Sequence, residues 1–174
     1  MKLVDTEKAW DKLKPESLVF VISFDSKNNR PSGMIAGWSM KCSSDPHMFA
    51  VAIWKQNYTY KLIENVKEFV IAVPNKKLQK YIEIFGTKHG DKVDKFTLSK
   101  ISTAKSKFVK IPLLRDATVN LECKLEKEIE VGDHSIFIGK VLASHINENE
   151  GILLNMGKKN GRRVFQEFKS TNLK

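Results

Sequence analysis

The residues most often used for catalysis are present in this chain without the spacing that catalysis needs. The four histidines, His47, His89, His134 and His145, lie far apart and without metal-ligand spacing, so each reads as a turn or surface residue rather than a ligand. Cys42 and Cys123 have no CxxC pattern and no paired histidines beside them, which supports neither a zinc site nor a disulfide framework. Cys123 alternates with Leu121 and Leu125 as a small core residue, whereas Cys42 sits in a polar turn, where a reactive thiol is the alternative to a plain free one. Glu126 and Glu128 fall on an alternating face that solvation explains. No GxSxG elbow, GxxxxGK[ST] loop or strand-borne GxGxxG occurs, which removes serine hydrolase, P-loop and dinucleotide-fold readings. What remains unusual is Gly33-Met34-Ile35-Ala36-Gly37-Trp38, where small residues and then a large aromatic interrupt a strand pattern. Either this is an irregular strand with Met34 and Trp38 facing the core, or a backbone kept bare for something flat to lie against.

The elements that must position such a stretch are mostly strands. Residues 5–14 suggest a short helix with Trp10 and Leu13 on one side, stopped by Pro15. Residues 17–24 form an apolar β run that ends in the Asp- and Asn-rich turn 25–30. Extended character resumes over 32–40, a polar turn spans 41–46, and 48–54 is a further strand. Thr59 is placed to cap a helix carrying Leu62, Ile63 and Val66, and 68–74 follows as a strand. Asn75 is a second cap, for an amphipathic helix bearing Leu78, Ile82 and Phe85 that Gly86 closes. Residues 87–107 read as loop with a helical turn. Beyond them Ala117, Val119, Leu121, Cys123 and Leu125 alternate with polar residues, the period of a strand with one wet face. Gly132-Asp133 breaks that strand, and 136–143 returns as its antiparallel partner. Six or so strands with short helices predict a mainly β, antiparallel sheet closed into a barrel.

The whole chain sets the outer bounds. Its 174 residues, 41% apolar and 29% charged, fit one globular domain over 1–174. No run of about 18 apolar residues occurs and the first five residues lack a secretory apolar block, so a cytoplasmic protein without a membrane span is expected. The formal charge of +10 raises a nucleic-acid reading, a basic β-barrel binding RNA or single-stranded DNA. The lysines are nevertheless spread along the chain, with only local clusters such as Lys158 to Arg163, and solvated surface charge accounts for them.

The order of several motifs resembles the flavin reductase-like proteins of the FMN-binding split-barrel fold, which include flavoredoxins. The matching pieces are residues 18–23 before the Asn-rich turn, Met34 to Trp38, Asp45-Pro46, Tyr58-Thr59 with Leu62-Ile63, and Glu68-Phe69-Val70. They continue with Val73-Pro74, Gly86, Gly90, Asp94-Lys95-Phe96, Leu121-Glu122-Cys123, Gly132-Asp133-His134 into 137–141, Asn155-Met156-Gly157 and Gly161-Arg162. The resemblance spans roughly residues 17–165. It implies a split β-barrel of antiparallel, Greek-key type, a non-covalently bound FMN and a homodimer with flavin near the subunit interface. It also implies electrons drawn from NAD(P)H or exchanged with a redox protein. Flavin would carry the chemistry, which accounts for the missing triad.

Under that resemblance the candidate cofactor residues are Met34, Ile35, Ala36, Gly37, Trp38, Lys55, Asn57, Tyr58, Thr59, Asp94, Lys95 and Phe96. Ala36 and Gly37 would let backbone groups approach the isoalloxazine edge, with Trp38 as a wall. Lys55, Asn57, Tyr58 and Thr59 lie where a strand feeds a helix, so free N–H groups, a hydroxyl and a lysine would meet the FMN phosphate; the alternative is an ordinary capped turn. Asp94-Lys95-Phe96 would close over the flavin with Lys95 offsetting negative charge, or Asp94 and Lys95 would form a structural ion pair. Four positions depart from the family pattern: Ser32 for Asn, Ile35 for a hydroxyl residue, Asn57 for Arg, and His89 for the Ser before Gly90. A non-catalytic dimeric FMN-binding protein is the alternative on the same barrel.

Overall fold

The run 17–24 carries no polar alternation because both faces of its strand are buried, which is how a strand covered on two sides reads. Leu18, Phe20 and Ile22 enter one core, and Val19 and Val21 enter another. The computed structural model of the protein describes residues 1–169. It opens with α1 (Thr6–Trp10), β1 (Glu16–Ser17), β2 (Val19–Asp25), β3 (Arg30–Ala36), β4 (Ser39–Ser44) and β5 (His47–Trp54). Then come α2 (Tyr58–Val66), β6 (Glu68–Val73), a 3-10 helix (Lys76–Tyr81), α3 (Ile82–Thr87) and α4 (Lys95–Ser99). The last strands are β7 (Thr103–Ala104), β8 (Leu113–Leu114), β9 (Val119–Val131), β10 (His134–Ile146), β11 (Ile152–Lys159) and β12 (Arg162–Phe168).

Seven strands form one sheet in the order β3-β2-β6-β9-β10-β5-β4, and every paired neighbour is antiparallel. Curling brings β3 back towards β5, which gives a split barrel. A second sheet, β1-β11-β12, and the short pair β7-β8 flank it. The first core holds Val21, Ile53, Phe69, Ile71 and Phe137, closed by Ile63 of α2. The second holds Phe20, Ile22 and Val70 under Leu78, Ile82 and Phe85. Each fully buried Phe in these cores contributes roughly 1.5–3 kcal/mol through removal of its surface from water.

Several local expectations change. The polar stretch 41–46 is mostly strand: Lys41 to Ser44 belong to β4, an edge strand with a wet face, and only Asp45-Pro46 turns the chain into β5. The first helix stops at Trp10, and Trp10 and Leu13 stay exposed. The helix after Asn75 begins as a 3-10 turn, with the Asn75 side chain accepting from Lys77 and Leu78 N–H, and it continues past Gly86 to Thr87. Asn57, not Thr59, is the N-cap of α2; Thr59 is inside the helix and buried. Finally, the face of β9 expected to be wet is covered near its start. Thr118, Asn120 and Glu122 are buried: the segment 101–114 folds over Asn120 and Glu122 and supplies their hydrogen-bond partners, and the Thr118 hydroxyl donates to the Gly151 carbonyl.

Candidate functional site

The site is assembled around the turn between β2 and β3. Asp25, buried at the end of β2, accepts from the Asn28 amide (2.7 Å) and N–H (3.1 Å) and from the Tyr58 hydroxyl (2.8 Å). Burial alone would raise this carboxyl, but the hydrogen bonds from Asn28 and Tyr58 and the charge of Arg30 outweigh it and hold the group below the usual carboxylate range. The Tyr58 phenol is pushed up by burial and by its bond to the Asp25 carboxylate. Arg30 fans across the same region, with Nε 3.9 Å from Asp25, Nη1 3.7 Å from Asp94 and Nη2 donating to the Gly90 carbonyl at 3.1 Å. Asp94 in turn accepts from Phe96 and Thr97 N–H, which caps α4. One carboxylate–arginine chain therefore locks the start of α2, the β2–β3 hairpin, the Gly90 loop and α4 together.

That frame positions Lys95. Its side chain is 4% exposed, and its ammonium donates to the carbonyls of Gly33 (2.8 Å) and Phe85 (3.0 Å). Burial pushes its pKa down to about 8. Gly33 also lets β3 lie close to β2: a Cβ there would stand 2.7 Å from the Val21 carbonyl oxygen.

Between these elements lies a cavity of about 90 Å3 lined by Met34, Ile35, Asn57, Tyr58, Thr59, residues 85–90 and Lys95. The Tyr58 and Thr59 N–H groups at the start of α2 have no acceptor among the described residues, and the Asn57 side chain makes no capping bond. Gly90 forms the tight floor, since a Cβ there would fall 2.4 Å from Ser32 Oγ and 3.1 Å from Tyr58 Cδ1. Two free N–H groups at a helix start, a hydroxyl and a buried ammonium make the cavity receptive to an anion.

Of the twelve residues expected from sequence, the fold brings together Met34, Ile35, Asn57, Tyr58, Thr59 and Lys95. Ala36 is buried in the first core, and Gly37 faces Glu16. Trp38 is half-exposed, with its ring 5.8 Å from Trp10 and 4.9 Å from His134, so it neither lines this cavity nor fills the core. Lys55 points away and pairs with Glu130 at 2.8 Å. Asp94 pairs with Arg30 rather than with Lys95, and Phe96 packs edge-on against Phe85 at 5.4 Å. Sequence reasoning missed Arg30 and the lining residues Phe85 to Lys88. The pair Gly86 and Gly90 bracketed that loop, but nothing in the sequence marked Arg30. Among the described residues no group of three or more His, Cys, Asp or Glu side chains is placed to hold a metal ion.

An antiparallel split barrel with an anion-receptive cavity beside its first hairpin defines the class to which the protein belongs. The family model for the flavin reductase like domain matches residues 15–162, and the chain belongs to that family. An uncharacterized protein of Archaeoglobus fulgidus is 39% identical over 113 residues, 65% of this chain and 64% of its own length, so the match spans just under two thirds of that relative. A ferric-chelate reductase (NAD(P)H) of the same organism is 26% identical over 137 residues, 78% of this chain and 79% of that one. The solved flavoredoxin of Desulfovibrio vulgaris (Miyazaki F) superposes with a TM-score of 0.78 at 24% identity, covering 90% of this chain and 88% of its own, and shares the fold.

Proposed function

We propose that the chain binds FMN non-covalently and works as a flavin-dependent oxidoreductase, either reducing flavin with NAD(P)H or passing electrons between protein partners. The observation that carries this reading is the donor set of the cavity, with the free N–H groups of α2, the Thr59 hydroxyl and the Lys95 ammonium on one wall system. About 90 Å3 is well below the roughly 300–1,000 Å3 of a full ligand site, so the enclosed part suits the phosphate and ribityl end. Bound FMN supplies the redox chemistry.

The residues divide the remaining tasks. Asn57, Tyr58 and Thr59 hold the phosphate through backbone N–H and side-chain donors, which does without the arginine common at position 57. Lys95 donates to two carbonyls and lies over the Phe85 ring at 5.8 Å, and its charge on the cavity wall favours the phosphate end of the ligand. Arg30 and Asp94 fix the start of α4, which carries Lys95. Met34 and Ile35 supply an apolar, water-poor wall. The family resemblance to homodimers is supported by exposed Trp38, Met40 and Trp54 on the neighbouring strands β4 and β5 and the turn before them. No helix among the described residues is long and apolar enough to cross a membrane.

The reading is tested by mixing FMN-loaded protein anaerobically with NADH, NADPH or a reduced ferredoxin. At least one donor is expected to bleach the flavin absorbance within seconds. Bound FMN that none of them reduces would make the protein a non-catalytic flavin binder.

A further inference from the structure

Next to the cavity, and sharing Gly86 and Thr87 with it, lies a larger groove of about 690 Å3 between the 3-10 helix and α3 on one side and the β11–β12 turn on the other. Its charged lining is Lys80, Arg162 and Arg163 against the single carboxylate Glu83. None of these three cations is in an ion pair among the described residues, and Lys80 lies over the Tyr81 ring at 4.9 Å. Arg163 reaches the boundary of the two spaces, with Nη1 3.6 Å from where a Cβ on Gly86 would stand. Ile82 and Phe165 add apolar surface. The volume falls in the range of small-ligand sites.

A groove that joins a redox cavity and combines an apolar wall with a surplus of guanidinium suits an aromatic base carrying phosphate. We propose that it takes the phosphate-bearing adenosine half of a nicotinamide dinucleotide and favours NADPH over NADH. The inference rests on the flavin reading of the adjoining cavity. The nicotinamide end would extend out of the groove towards the flavin while the adenosine end stays among Arg162, Arg163 and Lys80. A 2′-phosphate carries about 1.5 to 2 negative charges at neutral pH, and three cations against one carboxylate discriminate for that added charge.

The test uses the FMN-loaded chain and, in parallel, the flavin-free chain, titrated calorimetrically with 2′,5′-ADP, 5′-AMP, FMN and FAD. Wild type is expected to bind 2′,5′-ADP about tenfold or more tightly than 5′-AMP. Arg162→Ala/Arg163→Ala, both exposed positions, is expected to weaken 2′,5′-ADP by at least about tenfold and to leave FMN affinity within about twofold. Lys80→Ala gives a smaller loss in the same direction. In turnover, KM for NADPH should rise about tenfold and KM for NADH much less. Equal binding of 2′,5′-ADP by the wild type and the double variant overturns the proposal. So does a parallel loss of FMN, which would put the flavin itself in the groove, or a loss confined to FAD, which would put the flavin's own adenosine half there. Failure of wild type to bind FMN would instead remove the flavin reading, and the flavin-free titration would still decide what the groove binds.

Discussion

Glu122 and Lys95 are both ionisable groups almost sealed from solvent, at 0% and 4% exposure, yet the protein surrounds them in opposite ways. Glu122 accepts from the N–H groups of Lys107 (2.8 Å), Phe108 (2.6 Å) and Val109 (3.1 Å) and meets His145 Nε2 at 2.7 Å. Burial by itself would raise its carboxyl, but those backbone donors and His145 more than offset it and hold the group below the usual range. Lys95 has two carbonyl acceptors, and burial pushes its pKa down to about 8. One charge is fully solvated by the chain and staples the segment 107–109 to β9. The other is left short of acceptors beside a cavity. A closed shell around a buried charge marks structure, and an open shell marks a place for a ligand.

Breaking the closed shell should have the largest effect. Glu122→Ala leaves three backbone N–H groups and His145 without their acceptor and is expected to cost about 3 kcal/mol or more in urea unfolding. The folded pKa of Glu122 is depressed, so its contribution is present above the ordinary value near 4.5 and is lost as pH falls through the lower folded value. The gap between variant and wild type should therefore close in acid, while the FMN affinity of the folded variant stays that of wild type. A gap that persists unchanged to the lowest pH would deny the carboxylate its role.

An intermediate effect is expected at the floor of the cavity. Gly90→Ala forces a Cβ to within 2.4 Å of Ser32 Oγ and should cost roughly 1–3 kcal/mol, with weaker FMN binding. Adding Ser32→Ala removes that oxygen and should recover part of both losses. If the double variant is no better than the single one, the Ser32 contact is not what requires glycine.

The smallest stability effect belongs to the open shell. Lys95→Met removes a donor from two carbonyls and also removes a costly buried charge, so its net effect on unfolding should stay within about 1 kcal/mol. With the folded pKa lowered to about 8 from an ordinary 10.5, the unfolded chain binds the proton more tightly between those values. Wild-type stability should rise with pH through that window as the burial penalty disappears, and the variant should lack the rise.

The same contrast explains what the sequence revealed. The strand β2 and the long hairpin of β9 and β10 were legible because an apolar β-branched run and a period of two both mark strands. Glu122 was misread as solvated because alternation cannot show that a distant loop will fold over the polar face of a strand. Lys41 to Ser44 looked like a turn because an edge strand with a wet face has the composition of a loop. Asn57, Tyr58 and Thr59 line the cavity together because a helix start fixes its neighbours locally, although Asn57 rather than Thr59 is the cap. Lys55, two residues before Asn57, was drawn away by Glu130, seventy-five positions along the chain, and Arg30 entered from a turn with no chemical signature. Long-range ion pairs decided both cases, and no local pattern encodes them.

Whether the cavity between the α2 start and Lys95 receives the anionic end of FMN is decided by titrating wild type and Lys95→Met with FMN at pH 7 and pH 9. Wild type should bind one FMN per chain at pH 7 and retain it through gel filtration. Its affinity should fall as pH rises through about 8 and Lys95 loses its charge, and Lys95→Met should bind about tenfold more weakly at pH 7 with no such pH dependence. Identical affinities for the two proteins at both pH values, or no retention of FMN by wild type, would place the anionic end elsewhere or remove FMN as the ligand.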